Sequence, residues 1–318
     1  MNQRATSSPA APQLISMVVH SRNNEAHLRS CLDSLLAQTH RNLEIIVYDF
    51  ASEDGSWDII SEFQRRHPGL LTSLRLRKDY YPDALVDHMQ NVRGKYFMRF
   101  HASCLAEPEL IERCLGMIGR NAATALVRIR TRRIGDSNEE ILEPPLYEAS
   151  TIAAGRDHIP RLLMTNPEPF STVAFYNSDI MKLHAGNSVY LTELKLATRY
   201  GIGYLHEPLF TIQRPARQNI GDALAHYFQL YLDKCNFTRQ ATIDGMKELD
   251  ATCAEAIGEL ANILVGKSRS ALSDGCLVSA KQWFHLATAM APKIEQEEAF
   301  QSLAADLERA ADITRENA

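Results

Sequence analysis

The sequence predicts a doubly wound α/β domain followed by an all-helical region. From Leu14 onward, short apolar runs alternate with helix-length amphipathic ones. The runs LISMVV and LEIIVY are apolar on nearly every residue, as expected for parallel strands covered by helices on both faces. Past Arg217 the strand pattern stops, and Gly221 to Ala318 is rich in helix formers with one proline, Pro292.

LISMVV is the first strand, and Ala26–Ala37 the first helix, with Leu28, Cys31, Leu32, Leu35 and Leu36 on one stripe facing a sheet. Leu43–Tyr48, Ser56–Arg66 and Leu71–Leu76 complete a βαβαβ rhythm. A helix around Pro82–Val92, a strand at Lys95–Phe100 and a helix opening near Pro108 continue it, proline suiting a first helical turn. Leu126–Ile134 alternates apolar and basic residues, the pattern of a half-exposed strand. Asp136–Pro145 and Thr165–Pro169 read as loops. A strand at Thr172–Tyr176, two helical segments and a strand pair around Gly203–Ile212, marked by Glu207-Pro208, close the α/β part. The expected division is a lead-in over 1–13, an α/β domain over 14–218 and a helical domain over 219–318. In the tail, Gly275, Ala280, Phe284, Ala287 and Pro292 are spaced as in the second helix of a tetratricopeptide repeat; a plain helical hairpin explains them equally well, because one repeat does not stand alone.

Composition narrows the function. The 318 residues are 45% hydrophobic and 23% charged, and no apolar run reaches the roughly 18–20 residues of a membrane span. Lys plus Arg is 34 against 39 for Asp plus Glu, a formal charge of −5, so nucleic acid is not an expected partner. Six scattered cysteines, with no C-x-x-C pair, read as reduced thiols in a cytoplasmic protein. Residues 1–13 have no apolar core and read as a cytoplasmic lead-in rather than a signal or an anchor.

In an open α/β sheet, ligands bind outside the carboxyl ends of the strands. Here those ends carry His20-Ser21-Arg22-Asn23, Asp49-Phe50-Ala51-Ser52 and His101-Ala102-Ser103, so polar groups converge on one edge. Asp54-Gly55 then opens a helix: Ser52 or Asp54 is the expected N-cap, and Gly55 is expected to relieve a tight turn.

The segment ISMVVHSRNNEAHLRSCLDSLLAQTHRNLEIIVYDFASEDGSWDII resembles the opening of a family 2 glycosyltransferase. The likeness continues through Gly94-Lys95-Tyr96-Phe97 and Ala106–Leu110, and more loosely through NSDIMKLHAG and GIGYLHEPLFTIQR. It implies a GT-A fold, inverting transfer of a sugar from a nucleotide-diphosphate donor, UDP-linked by preference, and a donor site that includes Ser21, Asn23, Glu25 and Asp49. Asp49 is the strongest single candidate, since a carboxylate can accept from a uracil imide or from ribose hydroxyls.

The sequence departs from the family pattern at three places. Where the family carries D-x-D, whose carboxylates hold a divalent metal, this chain has His101, Ala102 and Ser103. His101 is the candidate metal ligand for Mn²⁺ or Mg²⁺; Mg²⁺ wants oxygen ligands and is poorly served by an imidazole and a hydroxyl, whereas Mn²⁺ would accept His101. Phe50 replaces the second acid after Asp49. The family's Glu-Asp pair, source of the general base, should fall near Tyr190–Leu194, where Glu193 is the one acid and therefore the candidate base. Without D-x-D the leaving diphosphate needs other positive charge; Arg99, Arg22, Arg214 and Arg217 are available, with Arg99 and Arg214 taken as donor-binding residues. The run Arg128, Arg130, Arg132, Arg133 could meet an anionic acceptor, although alternating basic residues more often mark a protected edge strand.

Two function classes fit the sequence. One is an enzyme acting on a glycan, a lipid-linked sugar, a protein or a small-molecule acceptor, in the cytoplasm or at the inner face of the membrane. The other is a GT-A-shaped domain without catalysis that binds or scaffolds, the helical tail offering a surface for a protein partner or a second copy.

Overall fold

The computed structural model describes residues 13–77, 89–121, 123–135, 137–166, 173–184, 188–213 and 220–316. Most of the expected lead-in, most of the helix around Pro82–Val92, and Arg214 and Arg217 lie outside the described residues. Two compact units make up the chain. One comprises Met1–Ala154, Val173–Val189 and Tyr200–Ala216, and the other Gly155–Thr172, Tyr190–Arg199 and Arg217–Ala318. Two stretches of sequence before residue 218 thus group with the helical tail. Periodicity cannot show this, because an amphipathic helix looks the same whichever unit it packs into.

The first unit is built on a ten-stranded mixed sheet. In chain order its elements are β1 (Ile15–Ser21), α1 (Glu25–Leu36), β2 (Leu43–Asp49), α2 (Ser56–Arg66), β3 (Leu71–Arg75), β4 (Tyr96–His101), β5 (Cys104–Ala106), α3 (Leu110–Ile118), β6 (Thr124–Ile134), β7 (Glu140–Leu142) and β8 (Thr151–Ala153). After α4 (Gly155–Met164), which belongs to the second unit, come β9 (Ala174–Asn177), α5 (Ser178–His184), α6 (Val189–Ala197), which past Val189 also belongs to the second unit, and β10 (Gly201–Ile212). The strand order is β3-β2-β1-β4-β9-β6-β10-β5, with β7 added to β6 and β8 to β10. β1 pairs in parallel with both β2 and β4, so the order reverses at β1 and three carboxyl ends lie side by side.

One face of this sheet is the core. Ile15, Met17, Val19, Ile45, Val47, Met98, Phe100, Phe175, Val127 and Ile129 point into it, against the α1 stripe Leu28, Cys31, Leu32 and Leu35, Ile60 and Phe63 of α2, and Ile111 and Cys114 of α3. Burial in this apolar layer pushes the Cys31 and Cys104 thiols up, Cys104 to about 12, so both remain protonated packing groups. Truncating a side chain such as Leu32 to alanine there costs about 2–5 kcal/mol.

Two expectations change. The basic strand β6 is not an edge: it is hydrogen-bonded between β9 and β10, and Arg128 is buried. The expected strand pair at 203–212 is one strand, β10, whose pairing to β6 slips between Leu205 and Phe210. Pro208 lacks the N–H a ladder needs, and the slip carries it past the gap without ending the strand.

The second unit is helical. Besides α4 and most of α6 it contains α7 (Ile220–Ile243), α8 (Asp250–Ser273), α9 (Leu277–Met290) and α10 (Glu298–Glu316). α8 and α9 form a hairpin turned at Gly275, whose φ of 75° favours glycine. Ala280 and Ala287 of α9 are fully buried, and Ser268 Oγ donates to the Ala280 carbonyl at 2.7 Å, so small residues set a close helix approach. On α7, Lys234 is wholly buried. Its ammonium donates to the carbonyls of Leu163 and Thr165 at the end of α4 and to Tyr190 Oη of α6, a cation placed at a helix C-terminus. Burial still lowers its pKa to about 8.

Candidate functional site

The site starts from strand register. Ser21 lies opposite Asp49, and His20 lies opposite both Tyr48 and His101. The loops after β1 and β2 therefore leave the sheet together, and hydrogen bonds stitch them to each other. Asn23 N–H donates to Ser52 Oγ at 3.0 Å, and that hydroxyl in turn donates to Asp49 Oδ1 at 2.5 Å. Glu53 N–H donates to Asn23 Oδ1 at 2.8 Å, and Asn24 N–H to Ser56 Oγ at 2.9 Å. Both loops turn through a non-glycine residue in the left-handed region, Asn23 at φ 52° and Ala51 at φ 49°. Such strain persists where the surroundings over-determine it, commonly at ligand sites.

Asp49 is 0% exposed. Its carboxylate also takes the Ser52 N–H at 3.2 Å and faces Arg75 Nε at 3.4 Å. Arg75 lies 5.1 Å from the Trp57 ring centroid and donates to the Ser52 carbonyl, closing the network on the β3 side. Ser21 Oγ is buried, and no described residue hydrogen-bonds it, so a hydroxyl stands ready beside Asp49.

The scaffold assignments sharpen. Asp54, not Ser52, serves the helix starts, and it serves two: Oδ1 accepts from Ser56 N–H at α2 and Oδ2 from Glu25 N–H at α1, each at 3.0 Å. Burial raises the Asp54 pKa, but these hydrogen bonds outweigh it and leave the carboxyl below its ordinary value. Gly55 does not relieve a strained turn, since its φ is −68°. Gly55 N–H donates to Glu25 Oε2 at 3.0 Å, and a Cβ there would sit 2.5 Å from Glu25 Oε1, the far end of an exposed side chain that could swing aside. Glu25 is thereby held against the β2 loop. Gly94 does make room, because a Cβ would meet Ser16 N at 2.7 Å.

At the end of β4, His101 Nδ1 lies 2.7 Å from Ser103 Oγ and accepts the Ser103 N–H at 3.3 Å. An amide nitrogen cannot accept, so the geometry assigns the lone pair to Nδ1 and the proton of the neutral ring to Nε2. Burial, with the charge of His27 adding to it, pushes the His101 pKa down to about 4. Ala102 offers no ligand, and among the described residues no three His, Cys, Asp or Glu side chains converge as a metal-binding group. Among the described residues, His101 and Ser103 at the end of β4 do not by themselves make the oxygen-rich set a divalent metal takes. Arg99 stands two residues before His101 on β4. Glu193 is on α6 and only 1% exposed, which excludes a solvent-facing helix position.

Sequence reasoning missed Arg75, which is separated from Asp49 by a helix and has no motif around it, and the burial of Arg128, hidden by an edge-like pattern.

Residues 16–175 match the model of the glycosyl transferase family 2 domain, half of the chain. The chain belongs to that family. A Methanococcus voltae dolichyl N-acetyl-α-D-glucosaminyl phosphate 3-β-D-2,3-diacetamido-2,3-dideoxy-β-D-glucuronosyltransferase is 28% identical over 104 residues, 31% of this chain and 32% of that one. Matches to the first curated relatives span 7%, 17% and 32% of their lengths. Among solved structures, S. aureus TarS 1–349 in complex with UDP aligns with a TM-score of 0.58 at 13% identity, over 96% of this chain and 92% of that chain. The mannosyltransferase PcManGT of Pyrobaculum calidifontis, in complex with GDP-Man and Mn²⁺, aligns with a TM-score of 0.51 at 18% identity, over 95% and 87%. These likenesses show the GT-A fold. No helix among the described residues is long and apolar enough to cross a membrane.

Proposed function

We propose that this family 2 protein is an inverting glycosyltransferase that takes its sugar from a nucleotide-diphosphate donor, UDP-linked as first choice. The observation that carries this reading is the pair of strained loops bound to each other at the switch point, with Ser21 Oγ and the Asp49 carboxylate side by side. In this reading Asp49, held in one orientation by Ser52 and Arg75, and Ser21 take the base and ribose, while Asn23 and Glu25 fix the loop that covers them. UDP in TarS and GDP-Man in PcManGT support the donor class for such a fold.

The chemistry is a single displacement. The acceptor oxygen attacks the anomeric carbon, the bond from that carbon to the diphosphate breaks, the diphosphate leaves with the electron pair, and the acceptor proton passes to a base. Glu193 is the candidate base on chemical grounds, as the one carboxylate of α6. The acceptor is a hydroxyl, which a glycan, a lipid-linked sugar, a protein or a small molecule can supply.

The test is donor hydrolysis by the full chain, with UDP-glucose, UDP-N-acetylglucosamine and GDP-mannose as probes and release of free nucleoside diphosphate as the readout. Release from one of the three, lost in Asp49→Ala, supports the proposal. No release and no nucleotide binding would favour the scaffolding role.

A further inference from the structure

Within the helical unit, α7 and α8 pack along each other and leave a partly open cavity of about 350 Å³ between them. Cys235 and Thr238 line it from α7, and Cys253, Ala254 and Ile257 from α8. Two thiols on two helices therefore open onto one space.

Helix geometry brings them there. Cys235 and Thr238 are three residues apart on α7 and so are neighbours on one face. The Cys253 thiol is in hydrogen-bond contact with the Thr238 side chain and interacts electrostatically with both Lys234 and Cys235, which seats it against that same face. A disulfide needs its two Cβ atoms about 3.5–4.5 Å apart. The cavity is the free volume into which both sulfurs can turn and the helices can close, and Ala254 takes up only a methyl group of it.

The two sulfurs differ in access. Cys235 is half-buried and Cys253 buried. Burial pushes the Cys253 thiol up, against the opposing pull of the Thr238 hydroxyl and the Lys234 ammonium. An external reagent therefore meets Cys235 first, where the Tyr231 hydroxyl, one turn earlier on α7, is hydrogen-bonded to the sulfur. The remaining cysteines are placed otherwise. Cys31, Cys104 and Cys114 are sealed in the core of the other unit, and Cys276 is exposed at the start of α9.

We propose that Cys235 and Cys253 are a dithiol modification site, which a small-molecule disulfide of the glutathione type converts into a reversible disulfide across the cavity. The Cys235 sulfur gives up its proton and attacks one sulfur of the reagent, forming a mixed disulfide and releasing one small thiol. The Cys253 sulfur then attacks the Cys235 sulfur, which makes the Cys235–Cys253 bond and releases the second small thiol. Two protein thiols are oxidised, one reagent disulfide is reduced, and the two protein protons leave on the two thiols released. The bond closes the α7–α8 hairpin into a loop, which restricts the unfolded chain.

The test treats the full chain with glutathione disulfide, caps free thiols with N-ethylmaleimide and digests with trypsin without reductant. Cleavage after Lys234, Arg239, Lys247 and Lys267 puts the two cysteines on separate peptides, 235–239 and 248–267. The expected result is those two peptides joined, and parted again by dithiothreitol. Cys253→Ser should stop at the mixed disulfide, with glutathione held on Cys235, whereas Cys235→Ser should leave the thiol of Cys253 free. Oxidised wild type should melt higher by roughly 5–10 °C, a rise that dithiothreitol reverses. Glutathione on Cys276 alone, or Cys235 and Cys253 recovered as free thiols or as two separate mixed disulfides, would overturn the proposal. So would a joined pair that forms only in unfolded protein, or one whose formation lowers the melting temperature. The wild-type peptides decide even where a serine variant folds poorly.

Discussion

Replacing Asp49 by asparagine keeps the side-chain volume and removes the charge, and the cost can be worked from the structure. The carboxylate accepts from Ser52 Oγ and Ser52 N, two charge-assisted hydrogen bonds inside the protein. Such bonds are worth about 1.5–3 kcal/mol each, and a carboxamide keeps one acceptor oxygen while turning its NH₂ toward a donor. The ion pair to Arg75 adds about 0–1 kcal/mol, since that arginine is near half exposed and screened by water. One bond lost and another weakened amounts to about 2–4 kcal/mol, which lowers the melting temperature by roughly 5–15 °C. Nucleotide affinity should fall by more than tenfold in addition, because the asparagine presents a donor where the base or ribose needs an acceptor. A thermal melt and a calorimetric UDP titration of the same preparation measure both. Ser52→Ala is the control: it loosens the loops by about 1–2 kcal/mol but leaves the carboxylate in place. Asp49→Asn melting within about 2 °C of wild type, or binding UDP unchanged, would refute the dual role.

Three further predictions concern other groups. Asp54→Ala unseats the starts of α1 and α2 together and should cost about 1–3 kcal/mol by chemical denaturation at about pH 7. The folded-state pKa of Asp54 lies below its unfolded value, so its contribution is full above the unfolded pKa and is lost as pH falls through the folded one; the gap between variant and wild type should close in acid, and a gap independent of pH would contradict this. Glu193→Gln should cut turnover at least about 100-fold with donor affinity preserved, and unchanged turnover would remove it as the base. Lys234 has a folded pKa of about 8, below its unfolded value, so the unfolded chain holds more protons between about pH 8 and 10.5 and stability should rise with pH there. In Lys234→Met that rise should be missing, and two parallel stability profiles would refute the assignment.

How much of this is legible in the sequence depends on the range of the physics involved. The α1 stripe, the helix Ser56–Arg66 and the apolar strands are local patterns repeated over several residues, and the structure reproduces them nearly to the residue. Convergence of the β1, β2 and β4 ends comes from strand order in any doubly wound sheet, so the neighbourhood of Ser21, Asp49 and His101 could be read in advance. What escaped depends on partners distant in sequence. Nothing near Gly55 tells that Glu25 reaches across to its N–H, and nothing near Asp49 announces Arg75. The alternation in β6 looks like an edge because a buried arginine is rare, and only the pairing to β9 and β10 shows the strand to be interior. Pro208 suggests a break in β10 that a shift of register absorbs. The burial of Glu193 likewise depends on packing that helix periodicity leaves open.

If the stitched loops after β1 and β2 form a nucleotide-diphosphate site, the full-length wild-type chain must bind a nucleoside diphosphate without any acceptor present. Calorimetric titration with UDP and then GDP tests this most directly. Saturable one-to-one binding of one of them, abolished in Asp49→Ala, is the expected result. Saturable binding that survives intact in a folded Asp49→Ala protein, or no binding of either nucleotide by wild type, would contradict it.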